Sequence, residues 1–459
     1  MCSVLERSDE MSRLDDLIRE LCPSGVEYKT LGDIATITRG GSFQKKDFTE
    51  KGVPCIHYGQ IYTQYGFFAN KTFTFIGEQC AEKQRFAEKN DIIMAVTSEN
   101  IDDVCKCLAW LGDEKVAVSG HSAIIHHNLE PKYLVYYLHS RMFDKQKRKM
   151  AQGTKVIEVS PNKLVNVQLP VPPAEVQREI VRILDSFMLL TAELTAKLTA
   201  ELTARKKQYE YYRDKLLAFD KTMPIVKLKE ICDIYLGLTA TPNYTEVGVK
   251  FISAQNTSSD FLDLENVKYI SEADFEKATS NAKPRRGDLL FTRVGSNLGH
   301  PVIVDTDERL CIFVSLGFLR IKDSNKVIVG YLKHWMNTNL FWTQVKKNVH
   351  GAAKVNLNTG WLKEFDIALP SLDLQQKIVH VLDNFDAICT DLNIGLPAEI
   401  EARKKQYEFY RDALLTYAAT GEIISRQTDR QTDRQTDRQT DRQTDRQTDR
   451  QTDRQTELN

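Results

Sequence analysis

The chain has 459 residues, 42% of them hydrophobic and 27% charged, which is ordinary for a folded protein with core enough for two or three domains. No apolar run reaches the roughly 18 residues of a membrane span, and a formal net charge of −1 excludes any case for a nucleic-acid partner built on bulk charge. Nine Cys without a disulfide-like framework, and an N-terminus (MCSVLERSDEMSRLDDL) without an apolar h-region, lead us to expect a reducing, cytoplasmic location.

Residues 12–21 (SRLDDLIREL) predict a short docking helix. Ser12 is its N-cap, Leu14, Leu17, Ile18 and Leu21 share a face, and Pro23 and Gly25 end it. From Val26 to Pro172, short apolar or alternating runs such as TLGDIATIT, DIIMAVT and SAIIHH are broken by Gly-rich turns, with one helical stretch expected at 131–149; this reads as a mixed α+β domain. LPVPP (169–173) stops it. From Glu175 to Phe219 nothing breaks a helix whose apolar side is Ile180, Ile183, Leu184, Phe187, Leu190, Leu194, Leu198 and Leu202. The last four recur every fourth residue because 191–204 reads TAELTAKLTAELTA, so the stripe winds by about 40° per step until Tyr209 restores a three-four rhythm. Residues 225–370 repeat the mixed domain. In the helix after it, Ile388, Leu392, Leu396 and Ile400 match the apolar positions, but Gly395 and Pro397 predict a kink or restart. Residues 427–454 are seven copies of QTDR with no apolar residue, expected to be disordered. A CAGA tetranucleotide repeat read in triplets would give this tract, which makes slippage of the gene an expectation; mixed synonymous codons would refute it.

Self-similarity organises the chain. RKKQYEYYRDKLL (205–217) and RKKQYEFYRDALL (403–415) differ only at Tyr211/Phe409 and Lys215/Ala413. EVQREIVRILDSF (175–187) answers DLQQKIVHVLDNF (373–385) at the same offset, and GTKV (153–156), KNDIIM (89–94) and TLGDIATITRGG (30–41) answer AAKV (352–355), RGDLLF (286–291) and KLKEICDIYLGL (227–238). Two similar units follow, each a divergent globular part of about 145 residues and a preserved helical part of about 45. The matching seams, Tyr209, Tyr212 and Leu216 with Tyr407, Tyr410 and Leu414, are expected to pack on each other, and Leu194, Leu198, Leu202 and Ile400 to join that packing.

Motifs for chemistry are missing. There is no Gly-rich loop followed by Lys-Ser/Thr, no GxGxxG after a strand and no Asn/Asp-Pro-Pro-aromatic stretch, so no catalytic residue is assigned. Cys105 and Cys107 lack metal or redox spacing, and His126-His127 reads as a surface or core-edge pair, so no metal is expected. Basic clusters occur at Lys45-Lys46, at 141–149, at Lys283 with Arg285-Arg286, at Lys346-Lys347 and in both RKKQYE copies, open to reading as solvated faces or as a phosphate-contacting surface.

The pair LPVPPAEVQREIVRILDSF and LPSLDLQQKIVHVLDNF, the TAEL repeat and the two RKKQYE(Y/F)YRD copies together resemble the specificity subunits of type I restriction–modification systems, in the group with TAEL repeats in the central helix. The resemblance covers about Met11 to Thr420. It implies two α+β target-recognition domains in tandem repeat, each reading half of a split, asymmetric site in double-stranded DNA, and two long helices that form an antiparallel coiled coil. It also implies docking of two modification subunits and of restriction/translocase subunits. No cofactor is implied in this subunit; S-adenosylmethionine, ATP and Mg belong to the partners. The alternatives are a coiled-coil scaffold without DNA recognition and, more weakly, a free-standing methyltransferase.

The expected organisation is an N-terminal helix (1–25), target-recognition domain 1 (26–173), a central helix (174–220), target-recognition domain 2 (221–371), a C-terminal helix (372–420) and the tail (421–459). Polar and basic side chains in Gly-flanked loops are the candidate DNA contacts: Arg39, Ser42, Gln44, Lys45, Lys46, Ser98 and Asn100 in the first domain, and Thr239, Thr241, Arg293, Ser296 and Asn297 in the second. Lys155 and Lys354, at matching points, are better suited to phosphates.

Overall fold

A computed structural model describes residues 13–218, 223–278, 283–295, 297–348, 356–390 and 395–421. Ser12, Ser296, Lys354, Leu392 and the QTDR tract lie outside the described residues. The chain divides into two compact units, one holding the residues up to Leu194 together with those from Ala402, the other Thr195–Glu401. The division cuts the 43-residue central helix, Ala174–Leu216, and the C-terminal helix, Leu396–Thr420.

The first unit contains two five-stranded sheets. One runs Ala35–Arg39, Ser122–His127, Ile92–Ala95, Cys107–Trp110, Phe68–Ala69; the other runs Phe48–Thr49, Thr74–Ile76, Val53–Ile56, Val116–Val118, Arg85–Ala87. The strand Ile92–Ala95 is buried at every residue because both its faces are covered. Ile92 and Met94 pack with Leu134 and Leu138, while Ile93 and Ala95 pack with Ile56 and Val118 on the opposite side. The single helix expected at 131–149 is two, Pro131–Leu138 and Arg141–Met150. Ser140 breaks the run as an N-cap, its Oγ accepting from the Phe143 amide at 3.4 Å and satisfying a donor the new helix would leave unpaired.

Against these helices pack residues 13–21, the start of the central helix and the end of the C-terminal helix. Leu14, Tyr133, Tyr136, Ile180, Leu184, Leu414 and Leu415 form one cluster, Phe187 stacks on Tyr410 at 5.8 Å, and the Tyr417 hydroxyl donates to Asp15 at 2.5 Å. Residues 187–194 meet 403–410 in opposite directions, with Leu194 beside Arg403 and Gln406.

The second unit repeats this plan with, among the described residues, one edge strand fewer in each sheet. Its orders are Cys232–Leu236, Leu316–Ile321, Leu289–Thr292, Pro301–Ile303 and Tyr244–Thr245, Lys268–Ile270, Val249–Ile252, Leu310–Ile312. Helices Val329–Met336, Asn339–Asn348 and Leu372–Thr390 carry its core of Tyr331, Trp335, Phe341, Ile378 and Leu382. A helix is described up to Thr390, and a helix begins at Leu396 after the bend at Gly395, with Pro397 in its first turn, where a missing N–H costs nothing.

The repeated seams find partners other than each other. Tyr407 and Tyr410 lie against Tyr136 and Phe187, whereas Tyr209 meets His334 (hydroxyl to Nδ1, 3.0 Å) and Tyr212 stacks on Phe385 at 6.0 Å. Each RKKQYE segment therefore packs on the helix that opens the other helical region. Leu216 is 36% exposed and its neighbour Leu217 only 1%, because Leu217 is the residue that joins the Tyr331–Trp335 core. Leu198 is buried, Leu202 and Ile400 are half-buried, and Leu414 is buried.

Candidate nucleic-acid interface

In the first unit, the parallel pairing of Val53–Ile56 with Val116–Val118 brings the loops after both strands to one edge, beside the end of Ala35–Arg39. There Arg39, Ser42, Gln44 and Lys45 line a cleft of about 460 Å³ with Phe43, His57, Tyr58, Ser119 and His121. Four of the residues nominated from sequence thus share one cleft. Lys45 and Lys46 sit in the short 3₁₀ turn Lys45–Asp47, held by the Gln44 amide donating to Asp47 at 2.7 Å. Both are exposed, and among the described residues neither has an ion-pair partner. The Arg39 Nε donates to the Gly120 carbonyl at 2.8 Å and its Nη2 pairs with Glu158 at 3.0 Å, which fixes the guanidinium at the rim.

Other nominees lie elsewhere or are already engaged. Ser98 pairs across to Ile157, in the same small sheet as Glu158, and Lys155 is exposed in the turn before it. The Asn100 side chain is spent on its own turn, accepting from Asp102 and Asp103 amides at 2.7 and 3.0 Å. In the second unit Thr239 and Thr241 are exposed. Arg293 is half-buried and donates to the Leu357 and Val314 carbonyls at 3.3 and 3.0 Å, with burial pulling its pKa down; Asn297 donates to the Ser258 carbonyl at 3.3 Å. These two anchor loops.

Several charges of the basic stretches are paired within the chain. Lys283 pairs with Glu276, Arg286 with Asp307, Arg309 with Glu272, Lys147 with Asp144, and Arg148 with Asp144 and Asp102. Lys45 and Lys46, exposed beside the cleft, and Lys346 and Lys347, exposed in the last turn of Asn339–Asn348, are the cation pairs open to phosphates. His126 pairs with Asp91 at 2.6 Å, and burial, with His126 adding to it, pushes His127 down to about 4. Among the described residues no group of three or more His, Cys, Asp or Glu could hold a metal ion, and no helix is long and apolar enough to cross a membrane.

Reasoning along the chain missed His57, Tyr58 and His121, since His57-Tyr58 and His121 carry no motif and meet only through the parallel strand pair. The available signal was the short apolar run GVPCI ending in a His-Tyr pair.

Residues 23–204 and 220–402 each match the family described as type I restriction modification DNA specificity domain. A Haemophilus influenzae chain named as a type I restriction enzyme specificity subunit is 28% identical over 86% of this chain and 96% of its own length. The EcoR124I/EcoR124II specificity subunit of Escherichia coli is 31% identical over 53% of this chain and 59% of its own. A chain from a structural study of type I restriction–modification complex assembly and conformational transition shares the fold at a TM-score of 0.62, with 18% identity over 87% of this chain and 98% of the other.

Proposed function

Because the chain belongs to the type I restriction–modification DNA specificity family, matched over both of its repeats, we propose that each globular part reads one half of a split, asymmetric site in double-stranded DNA. As a specificity subunit the chain is non-catalytic, and on this reading it directs two modification subunits, with restriction/translocase subunits joining the assembly in the cytoplasm. One observation carries the reading: the same two-sheet frame occurs twice, each time on helices exchanged between the repeats, while the residues lining the equivalent loops differ. A doubled frame with unlike linings suits two unlike half-sites, as symmetric dimers suit palindromes. Phosphates would be met at Lys45 and Lys46, and by Lys155, with Thr239 and Thr241 offered by the second part.

The central helix then acts as a ruler. One TAEL unit adds roughly 6 Å at 1.5 Å per residue, between one and two base-pair steps. The complex of this chain with its modification subunit should retain DNA site-specifically, and a variant gaining one TAEL unit should shift half-site spacing by about one base pair without changing the bases read. A complex that holds all sequences alike would leave only a scaffold, and altered base preference would refute the ruler.

A further inference from the structure

The two globular parts share a set of frame hydrogen bonds around the cleft described above. The amides of Gly41 and Leu238 donate to Val118 and Ile312 (2.7 and 2.8 Å), and those of Ser119 and Phe313 donate to Ile56 and Ile252 (3.1 and 2.8 Å). The amides of His57 and Ser253 donate to the Gln60 and Asn256 side chains (2.9 and 3.0 Å), and those of Val96 and Arg293 to the His121 and Ser315 carbonyls (3.0 and 2.8 Å). Even the guanidinium on the Gly120 carbonyl has its counterpart, because Arg293, just past the strand Leu289–Thr292, donates to the Val314 carbonyl. This correspondence aligns His57, Tyr58 and His121 with Ser253, Ala254 and Ser315. The frame is constant and the floor is exchanged.

The floor of the first cleft is built for a hydrogen bond. His57 is 8% exposed, with Phe43, Phe48 and Tyr58 rings around it at 6.5, 6.0 and 4.6 Å, and Tyr58 leads on to His121 at 4.9 Å. Its Nδ1 accepts from the Gly59 amide at 3.2 Å, so the ring proton resides on Nε2, which makes no hydrogen bond to a described residue. Nε2 is not among the sealed, unpartnered polar atoms of the described residues, so it opens on the cleft, where an entering acceptor can take the place of water. Burial, Lys45 and His121 hold this imidazole below its ordinary pKa, so the donor stays neutral and available at physiological pH.

We propose that His57 Nε2, flanked by Tyr58 and His121, reads a guanine in the half-site met by the first globular part. The cleft offers donors from His57 and from the Arg39 guanidinium at its rim, and guanine alone presents two acceptors, N7 and O6, side by side in the major groove. The inference rests on the DNA-reading function proposed above, which tells what enters the cleft.

The test uses the complete complex with its modification subunit and reads the recognised motif by methylome sequencing. Besides the wild type, it takes His57→Ser with Tyr58→Ala and His121→Ser, which installs the second part's floor on the same frame, and His57→Ser alone. Discrimination for guanine should fall by roughly tenfold or more at one position of one half-site, with spacing and the other half-site intact in both variants. The intact half-site shows that the subunit is folded. An unchanged motif, or relaxation at a non-guanine position, overturns the inference. A wild-type complex without site-specific methylation instead overturns the DNA-reading function itself.

Discussion

The two globular parts keep the strand order of both sheets, yet share little sequence outside their helices; the two helical parts keep nearly the same sequence, yet make different contacts. Tyr136 and His334 occupy matching positions, donating to Asp185 at 2.6 Å and Asp383 at 2.7 Å respectively, and each faces the other repeat's tyrosine, Tyr407 or Tyr209. The difference teaches where each kind of specification resides. Backbone hydrogen bonds and close glycine contacts hold the globular frame and leave loop side chains free to vary, whereas helix packing depends on side chains at fixed spacing and constrains them.

The strongest way to break the comparison is at the frame. A Cβ on Gly40 would lie 2.2 Å from the Ser119 carbonyl oxygen, and one on Gly237 2.2 Å from that of Phe313. Gly40→Val and Gly237→Val should each destabilise their own unit by about 3 kcal/mol or more, measured by thermal unfolding; a tolerated change in only one unit would show that the frames are not equivalent.

Next comes a contrast between identical motifs. Arg411 and Asp412 are buried together at 3.0 Å, and the Asp412 carboxylate also accepts from the Arg141 amide at 3.4 Å. Their counterparts Arg213 and Asp214 are half-buried, with Asp214 accepting from the Asn339 side chain at 2.5 Å. Asp412→Ala strands a buried guanidinium and should cost about 3 kcal/mol; Asp214→Ala should cost about 1 kcal/mol. Equal losses in denaturant titrations would contradict the burial difference.

Acid sharpens the comparison from the first part's side. Burial pushes His139, stacked on Phe67 at 4.1 Å and donating to the Cys107 carbonyl, down to about 4, as it does His127. The unfolded imidazoles protonate near 6.5, so their contribution is complete above that pH and is lost as the pH falls from about 6.5 to about 4. His139→Gln should reduce the slope of stability against pH in that window by about one proton; an unchanged slope would show that His139 is not buried neutral. The smallest effect is on binding: Lys45→Ala with Lys46→Ala should weaken DNA affinity without changing the motif and lower the salt slope by about two, as read by binding at several salt concentrations.

Much of this was legible in the chain. The duplication, the uninterrupted central helix and the restart at Pro397 follow from spacing and from the two residues that disturb a helix, and the mixed α+β character follows from short apolar runs between glycines. The cleft was half legible: Arg39, Ser42, Gln44 and Lys45 lie close together in sequence, whereas His57-Tyr58 and His121 come from distant segments that one parallel strand pair joins. That Arg293 and Asn297, nominated as DNA contacts, also tie loops together was not legible, because the carbonyls they hold come from residues 357, 314 and 258.

By itself, then, the sequence determined that there are two copies and which faces of their helices are apolar, since periodicity is a local property. Only the tertiary structure decided that each helix end packs on the beginning of the other region, and which charges remain unpaired. An apolar seam specifies that it must be covered but not by what, and an ion pair depends on a partner that the fold, not the neighbouring sequence, supplies.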